Sequence, residues 1–97
     1  MKKCNSLQEV RDEIDKIDTK LVDLISERSH LIRQAAAFKN SVDEVKAEDR
    51  IDNIMQRVRK RAIELNINPN MISDLFTIMI NEMVETEISE FRNDGKF

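Results

Sequence analysis

Residues 6–39, SLQEVRDEIDKIDTKLVDLISERSHLIRQAAAFK, decide the fold because they contain no Gly or Pro and carry one continuous apolar stripe. The apolar side chains recur at alternating spacings of three and four, the period that keeps one face of a helix turned toward partner helices. This pattern predicts a helix from Ser6 to Lys39, about 50 Å long at about 1.5 Å per residue. The stripe consists of Leu7, Val10, Ile14, Ile17, Leu21, Leu24, Leu31, Ala35 and Phe38.

Arg28 occupies a position of this stripe where the period calls for another apolar residue. A guanidinium that loses its water there costs on the order of several kcal/mol unless an anion pairs with it. Arg11 and Lys39 flank the same stripe, each in the heptad position just after d. Three cations on the inward side of one helix predict either a pocket for a small polyanion or ion pairs with carboxylates of the protein itself, and the helix alone leaves both open.

The rest of the chain predicts two shorter helices. Asn40–Asp43 has poor helix propensity and predicts a break, followed by a helix from about Ala47 to Leu65. Asn68 is a plausible N-cap, with Pro69 the first residue of a third helix that ends near Arg92. The Ser6–Glu9 segment has the pattern of a capping box at the start of the first helix.

The lengths of these helices predict the architecture. A compact three-helix bundle is excluded because the first helix overhangs the others and is apolar along nearly its whole length. We therefore predict an all-α fold in which one long and two shorter helices form an intertwined homodimeric helical bundle. Residues 1–97 are expected to form a single domain, with loose tails at residues 1–5 and 93–97.

Composition narrows the class of function. The 97-residue chain has a net charge of −3, which gives no bulk attraction to nucleic acid or an anionic membrane. The basic run at residues 57–61 has no aromatic neighbours for base stacking, so it is interpreted as a solvated face with Val58 turned inward. A lone cysteine, Cys4, excludes an internal disulfide and indicates a reducing compartment, so a cytoplasmic protein is expected. No metal or phosphate-binding motif is present, so no cofactor is predicted.

Glu87 is the one carboxylate on an apolar row of the third predicted helix. Its neighbours on that row are Ile80, Val84 and Phe91, at spacings of four and three residues. Such surroundings raise the pKa of a carboxyl group and favour its neutral, hydrogen-donating form. The alternative, that Glu87 forms an ion pair with one of the cations, stays open at this point.

Three segments of the first helix resemble the all-helical chorismate mutase family: VRDEIDKID at residues 10–18, LISER at 24–28 and AAAFK at 35–39. The resemblance covers nearly the whole chain. It implies an intertwined dimer and a cytoplasmic isomerase of aromatic amino acid biosynthesis, which rearranges chorismate to prephenate without a cofactor. Chorismate is a small dicarboxylate, in agreement with a polyanion pocket.

The resemblance also implies roles for individual residues. Arg28 and the Arg11 side chain of the partner chain would hold the two carboxylates of the substrate. Lys39 would donate to the ether oxygen whose bond to the ring breaks, and Arg50 would line the same pocket. At the position of Glu87 the family often has Gln, a second donor to that oxygen, so Glu87 would have to be protonated to act.

Two other functions stay open. Many of the mutases have Glu directly after the arginine of the second helix, where this chain has Ile51. The segments Ala36–Lys39 and Glu48–Ile51 also look like those of the isochorismate pyruvate lyases, relatives on the same fold that release salicylate and pyruvate. A helical dimer used only for partner binding or regulation is the third hypothesis, and it predicts that no function depends on Arg28.

Overall fold

A computed structural model describes residues 3–93, and within this range the backbone forms helices and no strand. The helices are α1 (Leu7–Ala36), α2 (Val42–Val45), α3 (Glu48–Glu64) and α4 (Pro69–Asn93). The all-α prediction is confirmed, and α1, α3 and α4 are the three predicted helices. The predicted loose tails fall in part on residues 1, 2 and 94–97, which lie outside the described residues.

The start of α1 has the predicted capping box. The backbone N–H of Glu9 donates to Oγ of Ser6 at 3.1 Å. The Glu9 carboxylate reaches back and accepts the backbone N–H of Asn5 at 2.7 Å. These bonds satisfy amides that have no acceptor within the helix, so they fix the residue at which α1 begins.

The end of α1 differs from the prediction, because the helix stops at Ala36 and not at Lys39. The next turn tightens through bonds of the i to i+3 type, from the Phe38 N–H to the Ala35 carbonyl at 3.0 Å and from the Lys39 N–H to the Ala36 carbonyl at 3.2 Å. Phe38 therefore leaves the predicted apolar stripe and is 83% exposed. The predicted break holds a one-turn helix, α2, because Ser41 caps it through the Glu44 N–H and this capping outweighs weak propensity.

The turn between α3 and α4 is fixed by its caps. Asn66 has a φ of 58°, in the left-handed region that Asn tolerates better than most residues. The Ile67 N–H donates to the Ala62 carbonyl at 2.9 Å, which completes a Schellman motif. Oδ1 of Asn68 accepts the N–H of Asn70 at 2.9 Å, so the predicted N-cap and the predicted start of α4 at Pro69 are confirmed.

The chain divides into two compact units, residues 1–31 and residues 32–97. In the second unit α4 packs against both α2 and α3. Every buried apolar residue of the described chain belongs to this unit, namely Ala36, Val45, Ile54, Ala62, Ile80, Met83 and Phe91. Among residues 3–93, no helix is both long enough and apolar enough to cross a membrane.

The first unit consists mainly of α1, and the side chains of its apolar stripe are exposed. Leu7 is 64% exposed and Leu24 is 58% exposed, although the sequence pattern predicts buried positions for both. The other exposed side chains of the stripe, between 39% and 62% exposed, are Val10, Ile14, Ile17, Leu21 and Leu31. The stripe is therefore an exposed apolar surface of the described chain.

Candidate active site

Two of the predicted site residues, Lys39 and Glu87, are brought together in the second unit. Lys39 lies between α1 and α2, and Glu87 lies in the last two turns of α4. Burial raises the pKa of the Glu87 carboxyl group above its usual value, and the charge of Lys39 acts in the opposite direction. The raised pKa predicted from the apolar row is confirmed, and the larger cause is desolvation.

The Glu87 side chain lies on the buried apolar face of its own helix. It is only 6% exposed, and its neighbours Met83 and Phe91 on the same face of α4 are also buried. Within residues 3–93, its Oε2 atom is buried without a hydrogen-bond partner. A buried oxygen without a partner costs free energy, which a ligand that accepts or donates a hydrogen bond there would recover.

Lys39 is half-buried, and its amine is held by the backbone of α2. The Nζ atom donates to the carbonyl oxygen of Glu44 at 3.2 Å. A carbonyl oxygen has two lone pairs, so it can accept this bond as well as the one from the Ala47 N–H at 3.3 Å. An ammonium group has three donors, so two are left for Glu87 or for a bound molecule.

The other three cations of the predicted site are divided between the two units of the chain. Arg50 is exposed in the first turn of α3, within the second unit. Arg11 and Arg28 lie in the first unit, where Arg11 is exposed and Arg28 is half-buried. They are separated by 17 residues of one helix, or about 25 Å along its axis at about 1.5 Å per residue. Two side chains so far apart on one α1 cannot bind the two carboxylates of one small molecule.

Sequence reasoning missed the contribution of Glu44. Its carboxylate oxygen Oε2 accepts the N–H of Asn40 at 2.7 Å, and its own N–H donates to Oγ of Ser41 at 3.2 Å. The signal was present, because residues 40–44 repeat the Asn-Ser-x-x-Glu pattern of residues 5–9. The same capping chemistry starts α1 and α2.

Arg59 corrects the interpretation of the basic run as a solvated face. Val58 is half-buried as predicted, but Arg59 is half-buried too. Its Nη1 atom donates to the Pro69 carbonyl at 3.1 Å, to Oδ1 of Asn70 at 3.2 Å and to the hydroxyl of Ser73. Arg59 therefore ties α3 to the first turn of α4.

The family model of type II chorismate mutases matches residues 10–88 of the chain. This chain belongs to that family. The matched range contains every cation of the predicted site and Glu87, that is Arg11, Arg28, Lys39, Arg50 and Glu87.

Individual relatives support the assignment of this chain to the chorismate mutase family. The chorismate mutase of Methanocaldococcus jannaschii is 33% identical over 94 residues, covering 93% of this chain and 95% of the relative. A bifunctional chorismate mutase/prephenate dehydratase of Buchnera aphidicola subsp. Acyrthosiphon pisum is 31% identical over 96 residues, covering 95% of this chain but 25% of that longer protein. The isochorismate pyruvate lyase of Pseudomonas aeruginosa is 25% identical over 89 residues, covering 92% of this chain and 88% of the lyase.

Proposed function

We propose that this chain is a chorismate mutase that rearranges chorismate to prephenate without a cofactor. The observation that carries the proposal is the proximity of the Lys39 ammonium to the buried Glu87 carboxyl group, in a chain whose family match includes both residues. Together they offer one charged donor and, when Glu87 is protonated, one neutral donor.

The reaction is a unimolecular rearrangement, so it needs no nucleophile. The enzyme has to hold a compact conformer of the substrate and to stabilise negative charge on the ether oxygen as its bond to the ring breaks. Lys39 donates one hydrogen bond to that oxygen, and protonated Glu87 donates the second. The buried Oε2 of Glu87 has no hydrogen-bond partner within residues 3–93, so the protonated acid can donate from this atom to the substrate.

The two carboxylates of the substrate are bound by Arg28 and by Arg11 of the partner subunit. The distance of about 25 Å between the two arginines of one α1 supports this arrangement, because one substrate cannot contact both. Arg50 binds at the same site, from the first turn of α3. A guanidinium suits each of these positions because its planar fork matches a carboxylate.

The shared site requires a homodimer in which the two α1 helices pair. The seven exposed apolar side chains of the α1 stripe support it, since covering each one contributes about 1–2 kcal/mol. Residues 1–97 then act as one domain within an intertwined dimer. The lone Cys4 supports a cytoplasmic location, where thiols stay reduced.

A second candidate, isochorismate pyruvate lyase, is favoured by Ile51. This residue follows Arg50, where many of the mutases have a Glu that contacts the ring hydroxyl of chorismate. One assay separates the candidates: purified protein receives chorismate or isochorismate, and the product is identified. Prephenate from chorismate supports the mutase, salicylate and pyruvate from isochorismate support the lyase, and no turnover of either substrate would leave a binding or regulatory domain.

A further inference from the structure

Lys39 is not positioned by a helix, although the proposed reaction depends on where its amine lies. α1 ends three residues before it, and α2 begins three residues after it. A lysine side chain has four rotatable bonds and loses about 2 kcal/mol of rotamer entropy when it is held in place. Some part of the segment between α1 and α2 therefore has to restrain it.

Glu44 supplies three contacts within this segment. Its carboxylate accepts the Asn40 N–H at 2.7 Å, directly after Lys39 in the chain. Its N–H donates to Ser41 Oγ at 3.2 Å, and its carbonyl oxygen accepts Nζ of Lys39 at 3.2 Å. One residue thus fixes both the backbone that follows Lys39 and the end of the Lys39 side chain.

The segment is also anchored to the helix that carries Glu87. Val45, the neighbour of Glu44, is 5% exposed, and α2 packs against α4. The three contacts of Glu44 therefore connect the Lys39 amine to α4 through α2. Removing the Glu44 carboxylate would open the loop at Asn40 while leaving Val45 in place.

We propose that Glu44 is a positioning residue, which closes the segment 40–44 through its carboxylate so that its carbonyl oxygen holds the Lys39 amine beside Glu87. This inference rests on the proposed function, in which Lys39 donates to the substrate. Glu44 touches neither the substrate nor the reacting atoms. Its role requires a hydrogen-bond acceptor at the end of the side chain and does not require a negative charge.

The test compares Glu44→Ala, Glu44→Gln and the matched control Asp43→Ala. Asp43 is an exposed acid in the same turn of α2, so its loss changes the net charge by the same amount. We expect Glu44→Ala to lower kcat about tenfold with KM within about twofold, because the contact matters most when charge develops on the ether oxygen. Glu44→Gln keeps an acceptor and should restore kcat to within about twofold of the wild type, and Asp43→Ala should leave it unchanged.

A second readout follows the Lys39 amine itself and does not depend on turnover. Lysine acylation by acetic anhydride, resolved by mass spectrometry, gives the rate at Lys39 relative to the exposed Lys20 and Lys60 of the same molecule. We expect Lys39 to react more slowly than these references in the wild type and in Glu44→Gln. In Glu44→Ala the Lys39 rate should rise at least threefold while the reference rates stay constant.

The two readouts separate this inference from the proposed function. Equal Lys39 acylation in Glu44→Ala and in the wild type would overturn the positioning role, whatever the activity. Normal turnover in Lys39→Ala would overturn the catalytic role of Lys39, while the acylation rates would still decide whether Glu44 restrains it. If Glu44→Ala does not fold, Glu44→Asp keeps the charge but shortens the side chain and draws the carboxylate away from the Asn40 N–H. An unchanged Lys39 acylation rate in that variant would contradict the proposal.

Discussion

At the scale of single residues, Glu87 is the most informative side chain of the proposed site. Its pKa is raised by burial and lowered in part by Lys39, so the carboxyl group is easier to keep neutral than an exposed one. An amide has the same size and donates a hydrogen bond at every pH. A Gln side chain at this position therefore differs from Glu87 in titration more than in shape.

The first prediction is that the mutase rate of the wild type falls as pH rises through the apparent pKa of the site. The neutral acid donates, and the carboxylate formed above that pKa cannot. Glu87→Gln should retain activity and flatten this alkaline limb in a pH profile of kcat/KM. A wild-type profile that is flat from about pH 5 to 8, and unchanged in Glu87→Gln, would show that Glu87 has a structural role only.

The same titration predicts an effect on stability. A carboxyl group with a raised pKa in the folded state contributes its full stability below the pKa of the unfolded chain, and this stability is lost as pH rises through the folded pKa. Glu87→Gln does not titrate, so its Tm relative to the wild type should increase with pH. Thermal unfolding at several pH values and one protein concentration measures this difference.

A further prediction concerns the cations. Arg28→Ala removes one charge-assisted contact to a carboxylate, a loss of about 1.5–3 kcal/mol, and should lower kcat/KM at least tenfold to a hundredfold. Lys39→Ala should lower kcat more than it raises KM, because its contact strengthens in the transition state. Steady-state kinetics with Arg33→Ala, an exposed cation of α1, as the control distinguishes these effects from a change in net charge. Normal turnover by both variants would contradict the proposed site.

At the scale of elements, the α3–α4 hairpin is held by its turn as much as by its apolar contacts. The Schellman motif, the Asn68 cap and Arg59 act on the same few residues. The neutral acceptors of Arg59 belong to the first turn of α4, and Ser73 also donates from its hydroxyl to the Pro69 carbonyl at 2.9 Å. This network sets where α4 begins relative to α3.

Arg59→Ala should therefore destabilise the protein by about 1–2 kcal/mol, since it leaves several acceptors at the turn without their charged donor. Arg57 is exposed on the same helix, and Arg57→Ala should change stability by less than about 0.5 kcal/mol. Urea unfolding at one fixed protein concentration compares the two variants. Equal stabilities would show that the network at the turn adds nothing to the apolar packing of the hairpin.

At the scale of the whole molecule, the exposed stripe of α1 predicts a dimer. An amphipathic helix in a protein gains most of its stability from packing of its apolar face, so the exposed stripe of α1 calls for a covering surface. Sedimentation at micromolar concentration should give twice the mass of the 97-residue chain, and thermal unfolding should shift with concentration. A well-folded monomer at that concentration would exclude both the dimer and the shared site.

Mixing experiments test whether each site takes Arg11 from one chain and Arg28 from the other. Arg11→Ala and Arg28→Ala dimers are each inactive in this scheme, but one of the two sites in a mixed dimer keeps both arginines. Random exchange of subunits makes half the dimers mixed, so activity should recover to about a quarter of the wild type. If both arginines act within one chain, mixing restores nothing.

Much of this protein follows from the sequence alone. Long unbroken periodicity predicted α1 and its apolar stripe, because a repeat over many turns outweighs local propensity. The caps at Ser6 and Asn68 were predictable because they depend on short-range hydrogen bonds. The burial and the raised pKa of Glu87 were predictable from its spacing relative to apolar residues on one helix, since burial is the larger cause of the shift.

Only the tertiary structure decided how Lys39 is held and how α3 is tied to α4. The sequence placed Lys39 in the first helix, but tight turns end α1 at Ala36 and a backbone carbonyl of α2 holds the amine. The sequence did not distinguish Arg59 from the solvated cations of the basic run. Its acceptors lie at the start of α4 and come close to it only because the chain reverses after α3. Both outcomes depend on acceptors supplied by the backbone of another element, and a backbone carbonyl has no signature in the sequence.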